Sequence, residues 1–227
     1  VLADAWSYLT SSGSELGEIV LLTLLVALSA TAIGCAIGIP IGVWLSEARF
    51  RGRSLVMLGV NVGMGIPPVL AGLFVLILLW SEGPLGWLDL VFTPAAMVGV
   101  QAILALPIAI GVSAAAVANL GWSAKEQVRA LDVTGPSRIS LLAREARPGV
   151  LAAIAAAFGR VVSEVGAVLI VGGNIAGETR VLTTAIVQES RQARFGAAVA
   201  LGVVLLLISI IVNGGITWLQ GWGSAHD

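Results

Sequence analysis

A helix of about 20 apolar residues crosses the roughly 30 Å hydrocarbon core of a bilayer, and five stretches of this chain reach that length. They cover approximately residues 19–45, 55–80, 94–120, 149–173 and 196–219. Over all 227 residues 58% are hydrophobic and 11% charged, whereas a soluble domain carries about 25% charged residues. The mean hydropathy is +1.00. The expected fold class is therefore an all-α integral membrane protein with about five transmembrane helices, its membrane domain spanning 19–219. The first run is too long for a secretory signal and lacks a basic flank and a small-residue cleavage site. Residues 1–18 mix Trp6, Tyr8 and Leu9 with acidic and hydroxyl residues, which suits a short interfacial segment. Residues 220–227 are expected to form a tail.

Lysine and arginine set the orientation, because short cytoplasmic loops carry the excess of them. Arg49, Arg51 and Arg53 follow the first run; Lys125, Arg129, Arg138, Arg144 and Arg147 follow the third. Both loops belong inside. The loop after the second run, SEGPLGWLDLVFT, has no basic residue, so the amino terminus is expected outside and the carboxyl terminus inside. Arg180, Arg191 and Arg194 in the loop after the fourth run oppose this rule, although Glu178 and Glu189 accompany them. The basic residues form no dense stripe, so nucleic acid is not an expected partner.

Prolines interrupt the runs in GIPIG (38–42), GMGIPPVLAG (63–72) and LALPIAIG (104–111). A proline removes an amide donor and bends a helix, and in lipid the freed carbonyl must be satisfied within the protein. GIPIG needs no more than the ordinary frequency of Gly and Pro in membrane helices. Pro67 and Pro68 in tandem, after Asn61 and two glycines, suggest a functional bend near a pathway. Gln101 is a candidate to hydrogen-bond across to that bend, and a purely structural interhelical bond is the alternative.

The fourth run carries Arg160, Ser163 and Glu164 within AFGRVVSEVGAVLIV. A central arginine or carboxylate costs about 2.5 to 3.5 kcal/mol to insert, and each Leu, Ile, Val or Phe returns about 0.3 to 0.6. A lipid-facing pair is thus unfavourable. Arg160 and Glu164 share a helical face with Ala153, Ala156, Ala157 and Ala167, small residues that admit a close neighbour. One reading is an ion pair that fixes packing; the other is a pair lining a gated, partly wet route.

Several chemistries are excluded. The chain has no G-x-x-x-x-G-K-[ST] phosphate loop, its single lysine being Lys125, so it lacks that device for gripping ATP. Its single histidine, His226, lies in the tail, and its single cysteine, Cys35, lies in an apolar run. A Ser-His-Asp site, a histidine metal centre and a disulfide framework are all ruled out. No cofactor is expected in this chain. An ion-coupled carrier using Glu164 stays open, because one buried carboxylate can carry a proton.

The inner loop, about 121–148, contains EQVRALDVTGPSRISLLAREARPG. It reads as a short helix, a Thr-Gly-Pro-Ser turn and a lead-in to the fourth span, either a docking knuckle or an amphipathic loop lying on the membrane. The outer segment, about 174–195, has Gly172 and Gly173 ending the span, Asn174 able to cap or turn, and a short amphipathic helix over 181–195. It could touch an external protein through Asn174 and Arg180, or merely pack.

The inner loop resembles the EAA coupling motif of ABC importer permeases, with Glu126, Arg129, Ala130 and Leu131 in place. Gln127 and Val128 replace two alanines, and Asp132 stands where the motif has glycine, leaving Gly135 and Pro136 as an alternative bend. The segments GMGIPPVLAGL, FTPAAMVGVQAILALPI, REARPG and FGRVVSEVGAVLIVGGNIAGETRVLTTAI, in this order, resemble the permease subunit of tungstate importers, in the molybdate/tungstate group. The resemblance implies a type I importer in a prokaryotic cytoplasmic membrane. It would comprise two permease copies, two ATPase subunits that bind ATP and Mg, and an external binding protein. Tungstate is the implied cargo, with molybdate or sulfate as alternatives. Glu126 to Asp132 and Gly135 would then couple to the ATPase; Arg160, Ser163, Glu164, Asn61, Pro67 and Pro68 would shape the route or its gate.

Overall fold

A computed structural model describes residues 2–11 and 13–224, with side chains described for 4–10 and 13–220. His226 and the end of the tail lie outside the described residues. The described chain is helical, with α1 (Leu2–Ser11), α2 (Gly13–Glu47), α3 (Arg53–Gly65), α4 (Pro68–Leu79), α5 (Pro94–Ala118), α6 (Trp122–Ala130), α7 (Gly135–Glu145), α8 (Arg147–Val162), α9 (Gly166–Gly172), α10 (Leu182–Arg191) and α11 (Phe195–Ser224). Three of these, α2, α5 and α11, are long and apolar enough to cross a membrane unaided. The second and fourth apolar runs are each a broken pair, α3 with α4 bent by 99° and α8 with α9 bent by 58°. Residues 13–18, read from sequence as part of the interfacial segment, are the first turns of α2, and α11 runs on to Ser224.

The helix α5 is the hub, and its most extensive partner is α2. The cause is a stripe of glycines at four-residue spacing, Gly34, Gly38 and Gly42, facing Ala105, Ala109 and Ser113 at the same spacing. A Cβ on these glycines would lie 2.7, 2.6 and 2.1 Å from those side chains. Small residues at such a spacing let two backbones approach closely in lipid. The numbers rise together along both helices, so α2 and α5 run parallel. The other neighbours run opposite to α5: Gly63 meets Pro107 while Val60, one turn earlier, meets Gly111, and on α8 Gly149 meets Ala116 while Gln101 bonds the Val161 carbonyl. Gln220 of α11 donates to the Pro148 carbonyl at the start of α8, so α11 is parallel to α2 and α5. Directions therefore alternate along the chain, which gathers residues 48–52 and 119–146 at one end and 80–93 and 173–194 at the other.

Candidate functional site

The two bends meet. Pro67 has φ −58° and ψ 123°, outside the helical region, and Pro68 begins α4; proline at a first helical position loses no intrahelical bond. Helix α4 then packs on α9 at very close range. A Cβ on Gly72 would lie 2.8 Å from the Ala167 Cα, and one on Gly166 would lie 2.7 Å from a Val69 methyl. The tandem prolines thus sit beside the break that contains Glu164.

That break has no proline; polar side chains satisfy it instead. Ser163 closes α8, its hydroxyl donating back to the Gly159 carbonyl at 2.7 Å and the Arg160 carbonyl at 3.2 Å. Glu164 lies past the helix end and is 7% exposed. Its Oε1 accepts from the Val165 amide at 3.0 Å and the Ala167 amide at 3.2 Å, capping α9 and satisfying donors that a helix start leaves free. Thr183 of α10, also buried, donates to the Glu164 carbonyl at 2.9 Å. Arg160 approaches the other carboxylate oxygen only to 3.8 Å, with its side chain about a third exposed. Backbone amides, more than the arginine, hold the carboxylate. Gln101 does not reach the bend at Pro67 and Pro68: it donates to the Val161 carbonyl at 3.2 Å, so it serves the fourth span. Asn61 sits on the exposed face of α3, and its side chain makes no hydrogen bond among the described residues.

At the end that gathers the basic loops, α6 and α7 form a knuckle with an inner and an outer face. Val128 and Leu142 are buried with Val43, Val117 and Ala146, which ties the knuckle to the bases of α2, α5 and α8. Arg138 of α7 pairs with Glu47 at the end of α2 at 2.5 Å, and Lys125 donates to the Ala118 carbonyl at the end of α5 at 2.6 Å. Glu126 and Arg129 pair with each other at 2.9 Å. On the outer face Leu131 is 62% and Trp122 77% exposed, and Ala130, Asp132 and Gly135 are exposed as well. Asp132 has φ 48° and Gly135 φ 60°. The left-handed turn at the expected glycine position is therefore made by the aspartate, one of the few residues that tolerate that region, and a second such turn follows at Gly135.

At the opposite end Gly173 and Asn174 adopt φ 71° and 55°, which ends α9 and turns the chain. Asn174 donates Nδ2 to the Gln188 Oε1 at 2.5 Å. Thr179, fully buried, donates to the Gly172 carbonyl at 2.5 Å and accepts from the Ile175 amide at 2.9 Å, locking the turn. Arg180 pairs with Glu15 of α2 at 3.4 Å, and Glu189 with Arg194 at 2.8 Å. Burial, then the Glu15 and Glu189 carboxylates, push the nearby Tyr8 phenol above its ordinary value. Helix α10 is anchored in the bundle at its start, where Leu182, Thr183, Thr184 and Ala185 are buried and the Leu182 amide is capped by Thr23 of α2 at 2.9 Å, and it reaches the surface at Ser190 and Arg191. Sequence reading passed over Thr179, Thr183 and Thr23. Their only signal is a hydroxyl placed where a helix starts or stops.

Residues 38–222 match the family model described as a binding-protein-dependent transport system inner membrane component. The chain is 42% identical over 201 residues to a probable anion ABC transporter permease protein of Haloferax volcanii, covering 86% of this chain and 87% of that one. It is 37% identical over 216 residues to a tungstate uptake system permease protein of Peptoclostridium acidaminophilum, with 95% of each chain covered. A molybdenum transport system permease protein of Azotobacter vinelandii is 28% identical over 200 residues, covering 84% of this chain and 88% of that one. Among solved structures, a chain of the MetNI methionine ABC transporter in inward-facing conformations superposes with a TM-score of 0.63 at 20% identity, covering 91% of this chain and 93% of that one. The expected permease-like fold is the one observed.

Proposed function

Since this chain belongs to the family of binding-protein-dependent transport system inner membrane components, we propose that it is the membrane-spanning half of an ATP-driven importer for an oxyanion, tungstate in the first instance. Its cargo follows from the tungstate uptake permease that it matches at 37% identity along 95% of its length, supported by the anion permease at 42%. The chain contributes no nucleotide site of its own. Two ATPase subunits, which bind ATP and Mg, drive two copies of this chain through alternating access, and an external binding protein delivers the anion. The cytoplasmic membrane is its location, with the amino terminus outside and the basic loops inside.

The observation that carries the coupling is the two-faced knuckle. Exposed Leu131 and Trp122 offer an apolar grip of the kind that marks an interaction surface, while buried Val128 and Leu142 and the Arg138–Glu47 pair transmit its movement to α2 and α5. The adjoining bends at Pro67 and at Ser163 to Val165 supply non-helical backbone at membrane depth, which is tolerated only inside protein or beside a wet cavity. The route passes this junction, with Arg160 and Glu164 at its edge, and Asn174 and Arg180 face the binding protein. Partial neutralisation of Arg160 by Glu164 keeps the arginine from forming a deep well for a divalent anion, which must leave as well as enter. The test is uptake of radiolabelled tungstate by the reconstituted importer in competition with molybdate and sulfate. Tungstate is expected to be displaced only by a large excess of either rival; displacement by an equal concentration of sulfate would reassign the cargo.

A further inference from the structure

The turn that joins α2 to α3 encloses an open pocket of about 860 Å³ lined by Glu47, Arg49, Phe50, Arg51, Arg53 and Arg129. Four arginines line it; Arg129 is paired with Glu126, and the one lining carboxylate, Glu47, is taken by Arg138. Arg49 and Arg51 make no ion pair among the described residues, and Arg53 uses its Nε on the Leu45 carbonyl, leaving its terminal nitrogens free of any described bond. The pocket is built for an anion. Its rim is aromatic: Trp44 and Phe50 stack with centroids 5.6 Å apart and planes at 18°, and both rings are exposed.

Leading into this rim, Ile33, Ile37, Ile41 and Trp44 are all exposed on α2 at spacings of three or four residues, which makes a single continuous stripe along the helix. At 1.5 Å per residue the stripe is ~16 Å long, about half of the ~30 Å hydrocarbon core, or one leaflet. An apolar track of one-leaflet length that ends in a basic pocket fits one kind of molecule. We propose that the pocket binds the phosphate of an anionic phospholipid of the inner leaflet, whose acyl chain lies along Ile33, Ile37, Ile41 and Trp44. A soluble anion would account for the arginines but not for the track. Because Arg129 belongs to α6, the bound phosphate bridges the α2–α3 turn to the knuckle and restrains it.

The inference rests on the inward orientation of this loop in the reading given above. The test uses the assembled importer in detergent and measures binding of fluorescent phosphatidylglycerol against phosphatidylcholine with the same acyl chains. Phosphatidylglycerol is expected to bind at least tenfold more tightly, and Arg49→Gln with Arg51→Gln to weaken it ~30-fold, from about fivefold per basic residue near an anionic lipid surface. Millimolar inorganic phosphate should not displace it. Equal binding of the two lipids overturns the proposal on the wild-type protein alone, whatever the double variant does. Displacement by inorganic phosphate would make this a soluble-anion site, and binding to the lone chain but not to the assembled importer would give the pocket to the ATPase; either result overturns it. Co-elution of the ATPase in the same preparation reports separately on the importer reading.

Discussion

Gly42 offers the sharpest test of how the spans are held together. A Cβ there would lie 2.1 Å from the Ser113 hydroxyl oxygen and 2.4 Å from the Ile110 carbonyl oxygen. Ser113 cannot simply turn aside, because its hydroxyl bonds the Ala109 carbonyl at 2.6 Å, and the Ile110 oxygen moves only with the α5 backbone. Restoring an ordinary contact of ~3.5 Å therefore requires α2 and α5 to part by about 1 Å, a gap that forfeits up to about half of each facing contact's dispersion energy. Overpacking of this kind costs about 1 to 3 kcal/mol, against up to ~1 kcal/mol gained from alanine's better helix propensity. Gly202 on α11 is the control, since no heavy atom lies within 4 Å of its would-be Cβ. In detergent, followed by tryptophan fluorescence, Gly42→Ala should lower the unfolding midpoint by several degrees, at about 2 to 4 °C per kcal/mol for a chain of this size. Gly202→Ala should leave it unchanged or raise it. Equal midpoints for the two variants would refute the argument that close helix approach at Gly42 holds the bundle.

Three further outcomes follow from the site. Asp132→Gly should keep or improve ATP-coupled uptake, because glycine adopts the left-handed turn freely, whereas Asp132→Val should lose about 1 to 2 kcal/mol at the turn and impair coupling; a fully active valine variant would contradict the turn's role. Glu164→Gln retains an oxygen to accept the Val165 and Ala167 amides, so its stability should stay within about 1 kcal/mol of the parent, and Glu164→Ala should lose about 1 kcal/mol as a helix cap. Uptake by Glu164→Gln and Arg160→Gln should nonetheless fall at unchanged midpoint, and normal uptake in both would remove them from the route. Glu15→Gln should change stability by no more than ~1 kcal/mol, since Glu15 is 56% exposed in its pair with Arg180 and surface pairs contribute little. Arg180→Gln should lower binding-protein-dependent uptake, and equal uptake by the two variants would leave Arg180 no role beyond that pair.

Apolar run length made the bundle legible, because lipid demands it of the chain itself. The bend at Pro67 and Pro68 was legible for the same local reason, a missing amide. The break at Ser163 to Val165 was not. Spacing of four between Arg160 and Glu164 suggests a pair on one continuous helix, but α8 ends at Val162, and the carboxylate turns to the amides of the next helix. Nothing local in that stretch announces the stop; the neighbours that permit it, Val69, Gly72 and Thr183, come from elsewhere in the chain. The glycine stripe was half visible. GIPIG was read as ordinary composition, and the four-residue spacing from Gly34 gained meaning only beside Ala105, Ala109 and Ser113. In the inner loop the departure at Asp132 put the turn in question, and backbone conformation answers it, because aspartate occupies the left-handed region itself.

The central claim is that this chain is a conduit moved by a separate ATPase. It is tested most directly by tungstate accumulation in liposomes carrying the chain alone, then with ATPase subunits and ATP, then with the external binding protein added. Accumulation is expected only in the complete system with ATP on the ATPase side. Accumulation by the lone chain under a proton gradient, abolished by Glu164→Gln, would contradict the claim and make the chain an ion-coupled carrier.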